Sequence, residues 1–485
     1  MNNRTAILAA AAALLLGLIT FFALRTGTTP PAPAAGVSRL TRASEATALT
    51  VSRADETASV TYSADLETWL VQDTAGGPAW PAEQGAAQGA LRLLRDLARL
   101  PAQPVPAPDA ADTTKVTLSF PSQPDLTLLF SAQSLGGKTR MFEQTASGAL
   151  ELAAPAQTAE VFSPRGILAW RREDLLAAPG APVEVSVTSN GSTLAFKQVD
   201  DKWTLMLPVP APVDPSAMKE LLAVRLPAKR MLTGPQAAAM QNPAATLTRT
   251  SRINNTRGDT EWLTTTVSIG GPADTSQETF YASALASREV LAVKAQKPDT
   301  AWGPITCVVD GAAITAIART PEYYVSKRAV QAPAADVTRI RLLPPDHAFD
   351  LATPLRDADD PAKVLQSFQR TLDGWTHQSP GSDTATNTAP AAPAAPENAA
   401  ALAALTKLLC ETPAPRLHLQ GLTTPISPLC TLAISDNTGL IEVVAVGTDE
   451  NATTIYLRSG RVIREYTTGT AGDSLTALRA WTIHN

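Results

Sequence analysis

Apolar and polar residues alternate through Val183-Glu184-Val185-Ser186-Val187, so one side of this stretch is greasy and the other wet, as in a half-buried strand. Asn190-Gly191 follows, a pair that accepts the positive backbone angles of a two-residue hairpin, and Leu194-Ala195-Phe196-Lys197 supplies the return strand. Trp203-Thr204-Leu205-Met206-Leu207 gives a third strand, closed by the breakers Pro208, Pro210 and Pro212. Asp214 is then placed to cap a helix, Pro215 suits the first helical position, and Met218, Leu221 and Leu222 form one apolar stripe. The unit is a strand hairpin, a tryptophan strand, a Pro-rich loop and an amphipathic helix.

The same order occurs twice more. Leu49-Thr50-Val51 and Val60-Thr61-Tyr62 precede Trp69-Leu70-Val71, then Pro78 and Pro81, then a helix through Leu91, Leu94 and Leu97. Later, Val337 to Leu342 alternates, Trp375 follows, and Ala399 to Cys410 carries Leu402, Leu405, Leu408 and Leu409. Each helix leads into further strands: Lys115 to Phe120 with Leu126 to Phe130, Leu263 to Ile269 with Thr279 to Ala282, and Leu432 to Ile434 with Ile441 to Val446. Internal repetition of this kind predicts an α+β fold of repeated modules, each an antiparallel sheet with an amphipathic helix packed on one face. The predicted boundaries are 37–178, 179–330 and 331–485, with a flexible insertion at 381–398, where GSDTATNTAPAAPAAPEN lacks bulky apolar residues.

Ahead of the modules, Thr5 to Leu24 runs without a charge, and about 20 apolar residues span a bilayer core. This predicts an N-terminal membrane anchor and spacer over 1–36. Arg4 before the run and only Arg25 soon after it favour a cytoplasmic amino terminus, which would make the protein a single-pass inner-membrane protein with its bulk in the periplasm. The competing reading is a cleaved signal peptide, for which Ala32-Pro33-Ala34-Ala35-Gly36 offers small residues; both readings export the remainder.

Composition narrows the picture. With 485 residues, 44% hydrophobic and 18% charged, the chain is globular and too long for one core. Its net charge of -5, from 40 basic and 45 acidic residues without a dense basic run, excludes a nucleic-acid partner. Three cysteines, Cys307, Cys410 and Cys430, lack zinc or redox spacing; a Cys410–Cys430 bridge and buried thiols are both open.

No catalytic, cofactor or metal residues are assigned. His347, His377, His418 and His484 are scattered and none forms HExxH, no GxSxG elbow occurs, and there is neither GxxxxGK[ST] nor GxGxxG to cradle phosphate. Asp357-Ala358-Asp359-Asp360 lacks the glycine and distal glutamate of a calcium loop. Asp200-Asp201 reads as a turn rather than an acid/base pair. Trp69, Trp203 and Trp375 invite a ligand-stacking role, but recurrence at one place in the unit favours repeated core anchors. Arg171, Arg172, Lys327 and Arg328, near the ends of two copies, read as solvated helix faces, with docking of an anionic lipid or partner as the alternative.

An N-terminal apolar segment followed by strand, hairpin, Trp strand and Leu-rich helix resembles the bacterial family called domain of unknown function 4340, most closely over Val37 to about Leu232. The resemblance implies membrane-anchored proteins associated with ABC-type exporters and gliding-motility auxiliary components. The expected function is therefore a non-catalytic accessory or interaction subunit that reaches the membrane through its N-terminal helix and binds an envelope protein such as a transporter subunit, with no cofactor. The other reading is an extracytoplasmic protein that captures a small ligand or glycan.

Overall fold

The computed structural model describes residues 38–483 apart from 65–67, 74–77, 84, 110–112, 147, 179, 233–239, 241, 255–259, 291–299, 346–348, 356–362, 379–391, 394–395 and 423. The chain divides into two compact units, Met1–Arg172 and Glu173–Asn485.

In the first unit a short 3-10 helix, Arg39–Glu45, is capped by the Ser38 hydroxyl and leads into one sheet. Its strands are β1 (Ala48–Arg53), β2 (Glu56–Ser63), β3 (Thr68–Gln72), β4 (Trp80–Pro81), β5 (Ala102–Val105), β6 (Thr113–Phe120), β7 (Gln123–Leu135), β8 (Lys138–Thr145) and β9 (Gly148–Pro155). They lie in the order β4-β3-β2-β1-β6-β7-β8-β9-β5, with every neighbouring pair antiparallel. The helix Ala86–Leu97 joins β4 to β5, which are opposite edges, so the chain must cross the sheet face at this point. Ala87, Ala90, Leu91, Leu94 and Leu97 recur at helical spacing and are the buried stripe. They pack against Leu49, Val51, Val60, Val116, Leu118 and their neighbours, the alternate residues of the strands beneath.

The second unit holds two further nine-stranded sheets. One runs through β10 (Ala181–Ser189), β11 (Ser192–Val199), β12 (Lys202–Leu207), β13 (Ala211–Pro212), β14 (Arg230–Leu232), β15 (Ala245–Asn254), β16 (Thr260–Pro272), β17 (Thr279–Val290) and β18 (Thr300–Asp310). The other runs through β19 (Arg339–Leu343), β20 (Gln366–Thr371), β21 (Gly374–Gln378), β22 (Ala392–Pro393), β23 (Arg416–His418), β24 (Ser427–Ser435), β25 (Leu440–Thr448), β26 (Thr454–Ser459) and β27 (Val462–Thr467). Their orders are that of the first sheet with nine and eighteen added to each strand number. In each, a helix links the two edge strands: Pro215–Ala223 between β13 and β14, and Pro396–Cys410 between β22 and β23. Asp214 caps the former by accepting from the Ser216 and Ala217 amides, with Pro215 opening the helix.

Two expectations are corrected. The first is the fold class, α+β with an N-terminal transmembrane helix: strand accounts for 50% of the residues and helix for 20%, in three large antiparallel sheets. The sequence pattern undercounts strands because many carry Thr and Ser on the open side. In β15 and β16 the buried positions Leu247, Leu263, Val267 and Ile269 alternate with Thr246, Thr248, Thr264 and Thr266, a contrast too weak to mark strand ends. The dipeptides Trp80-Pro81 and Ala211-Pro212, which look like breakers, are two-residue edge strands, because an edge position does not need the missing amide.

The second correction concerns the single-pass inner-membrane localisation. Among the described residues no helix is long and apolar enough to cross a membrane. Thr5–Leu24, the spacer that follows it and the rest of 1–36 lie outside the described residues. Of the flexible insertion, 381–391 and 394–395 also lie outside, whereas Ala392–Pro393 forms β22 and Pro396 begins a helix.

The Asn190-Gly191 hairpin has both residues at positive φ, 50° and 74°, and pairs Ser189 with Ser192. A Cβ on Gly191 would meet open space, so only backbone strain opposes it. Gly191→Ala is expected to cost about 1 kcal/mol, read as a lowered urea midpoint with an unchanged slope.

Candidate functional site

Register places the three tryptophans at one equivalent point. Val60 pairs with Leu49 and Val71, Phe196 with Val185 and Leu205, and Phe368 with Ile340 and His377. Trp69, Trp203 and Trp375 each stand two residues before Val71, Leu205 and His377, on the same side of the strand, the side the helix covers. Their environments then differ. Trp375 is 8% exposed and belongs to the core with Phe368, Leu402 and Leu405. Trp203 is half-buried. Trp69 is half-buried as well and packs at the margin of its core, beside an open cleft.

That cleft, of about 400 Å³, opens where the sheet of the first unit meets its helix. One wall is the cross-strand pair Tyr62 and Trp69, whose ring centroids are 5.4 Å apart at 57°. Trp69 Nε1 is buried and makes no hydrogen bond, a cost a phenylalanine would not carry. The opposite wall is Gln88, Leu91, Arg92 and Arg95, spaced by three or four residues so that they line one side of Ala86–Leu97. Ser44 and Thr47 close the end. Arg92 and Arg95 are exposed, and Arg95 lies 3.4 Å from Asp96 on the surface. The cleft thus joins an aromatic wall, two guanidinium groups and several neutral hydrogen-bonding groups. Apart from Trp69, sequence reasoning did not single out these residues as a site; the one signal was polar Gln88, Arg92 and Arg95 at three- and four-residue spacing around Leu91 on one side of the helix.

The other residues singled out from the sequence do not converge. His418 Nε2 lies 2.8 Å from Glu465 across β23 and β27, and His377 meets the Phe368 ring edge-on at 5.5 Å. His347, His484 and Asp357 to Asp360 lie outside the described residues. Asp200 and Asp201 form the exposed turn between β11 and β12, both at positive φ. Among the described residues no group of three or more His, Cys, Asp or Glu side chains could hold a metal ion. Cys307, Cys410 and Cys430 are free and buried, and burial pushes their thiols up to about 12, 11 and 12 respectively. Lys327 and Arg328 are exposed, but Arg171 is not a solvated residue: it is 4% exposed, 3.7 Å from Asp73, and burial lowers its pKa.

Further charged groups are buried in the second unit. Arg249 reaches from β15 to the carbonyls of Leu221 and Val224 at 2.7 and 2.9 Å, neutralising the end of the Pro215–Ala223 helix. Arg288 on β17 and Glu261 on β16 form a two-pronged buried pair. Arg464 on β27, fully buried, donates to the Ser326 carbonyl and the Ser459 hydroxyl; burial brings its pKa down to about 10. Glu442, on β25, has its carboxyl pushed up to about 7 by burial, opposed by the charge of Arg464.

No protein-family model, curated protein or solved structure matches this chain.

Proposed function

We propose that the chain is a non-catalytic interaction protein, an accessory subunit whose repeated sheets present surfaces to a partner protein. The supporting observation is that one nine-stranded order, with the same register about the tryptophan, is used three times in a single chain. Repetition multiplies similar surfaces and raises the effective concentration of each for a partner already engaged by another. The resemblance to domain of unknown function 4340 points to a subunit of an ABC-type transport system as that partner.

The open side of the second sheet offers the surface to probe. Thr248 meets Thr266 at 3.1 Å, Thr250 meets Thr264 at 3.1 Å, and Thr188 meets Thr193 at 3.0 Å, giving rows of paired hydroxyls and methyls across adjacent strands. Affinity capture with the full chain should recover one protein saturably, and the single variant Thr248→Arg, which avoids placing like charges opposite each other, should recover at least fivefold less of it while keeping a cooperative unfolding transition. Capture that is nonspecific, or insensitive to charge placed on this and the corresponding faces, would sink the proposal.

A further inference from the structure

The cleft of the first unit points to a second activity, and we propose that it binds an acidic saccharide: a sugar ring lying against Trp69 and Tyr62, with its carboxylate held by Arg92 and Arg95. The fold does not require an open site here. At the equivalent point of the third sheet, Trp375 is closed into the core and its cross-strand neighbour is Arg370, which donates to the Ala334 carbonyl. In the first sheet that neighbour is Tyr62, and the tryptophan is half-buried and borders about 400 Å³ of open volume. A volume of this size is at the lower end of small-ligand sites and suits a single ring with its substituents.

The ligand class follows from the walls. Adjacent aromatic rings offer an apolar platform with a polar handle, which fits the C–H face of a pyranose. Arg92 and Arg95 sit one helical turn apart on Ala86–Leu97, and a guanidinium matches the planar carboxylate geometry in paired hydrogen bonds. Ser44, Thr47 and Gln88 supply donors and acceptors for ring hydroxyls. A neutral sugar leaves the two cations unused, and inorganic phosphate leaves the aromatic wall unused. An acidic sugar ring engages both. Arg95 already faces Asp96, but that contact is 3.4 Å long and solvent-exposed, so a ligand carboxylate can displace it. The site does not depend on the protein-partner reading and would stand without it.

The test is calorimetric titration of the full chain with glucuronate, glucose and inorganic phosphate as separate titrants. Glucuronate is expected to bind saturably with one site, about tenfold or more tighter than glucose or phosphate. Arg92→Ala and Arg95→Ala, both at exposed positions, should each weaken it about tenfold without moving the thermal midpoint. Lys197→Ala, on the second sheet, should change nothing. The proposal is overturned if glucuronate gives no saturable heat, if glucose binds equally well, if phosphate matches it with the same arginine dependence, or if neither arginine variant alters binding.

Discussion

Glu261→Ala is expected to lower the unfolding free energy of the second unit by about 3–5 kcal/mol, the range found when one partner of a buried ion pair is removed. Arg288 and Glu261 lie on adjacent strands, directed to the covered side of the second sheet, and are 8% and 1% exposed. The Arg288 Nε donates to one carboxylate oxygen at 2.6 Å and a terminal nitrogen to the other, so removing the carboxylate takes two bonds from a largely buried guanidinium. The loss should appear as a lower urea midpoint for the transition assigned to residues 173–485. The double variant Glu261→Leu/Arg288→Met should recover most of it, since desolvating the pair is itself costly and an apolar replacement avoids that cost. A single-variant loss below about 1 kcal/mol would show that the pair is solvated in solution.

A second large effect is tied to pH. Burial raises the Glu442 carboxyl from its ordinary value near 4.5 to about 7. Between those two values the folded chain keeps a proton that the unfolded chain has released. The associated stability is therefore complete below pH 4.5 and is lost as pH rises through 7, on the order of 2–3 kcal/mol in total. Arg464, whose charge favours the ionised form, keeps the loss from being greater. Glu442→Gln removes the titration, so the variant should be more stable than the parent at pH 8 and nearly equal to it at pH 4. Denaturation curves across that interval decide the matter: parallel profiles for parent and variant would mean that the Glu442 carboxyl keeps its ordinary value in the folded chain.

Much of the architecture was legible where side-chain contrast is strong. The Asn190-Gly191 turn, the Asp214 cap and the stripes Leu91/Leu94/Leu97 and Leu402/Leu405/Leu408/Leu409 all stand as the periodicity predicts, because each depends on neighbours within one or two turns. The repetition itself was visible through the tryptophans, which register then aligned. What failed was the weighting of strand over helix. In β8, β26 and β27 the polar residues Thr139, Glu143, Arg458, Ser459 and Arg464 are themselves buried, so no clean alternation marks these strands, and in β15 the Thr residues opposite the buried positions blur it further. Their identity is settled by long-range pairing that no local window contains. The cleft was illegible for a related reason. Tyr62, Trp69, Arg92 and Ser44 become neighbours only when the helix crosses from one sheet edge to the other. Arg171 misleads in the opposite direction, since its burial beside Asp73 depends on a contact across nearly the whole first unit.

The two-residue strands that close one margin of each sheet, Trp80–Pro81, Ala211–Pro212 and Ala392–Pro393, have a consequence for assembly. Proline offers no amide to a newcomer, and two residues are too few to template an incoming strand. A polypeptide that encodes the same sheet three times risks pairing a segment of one copy with the margin of another, or with a neighbouring molecule, while it folds. Ending each copy at an imino acid makes such exchange unproductive, so each sheet stops growing at its own boundary.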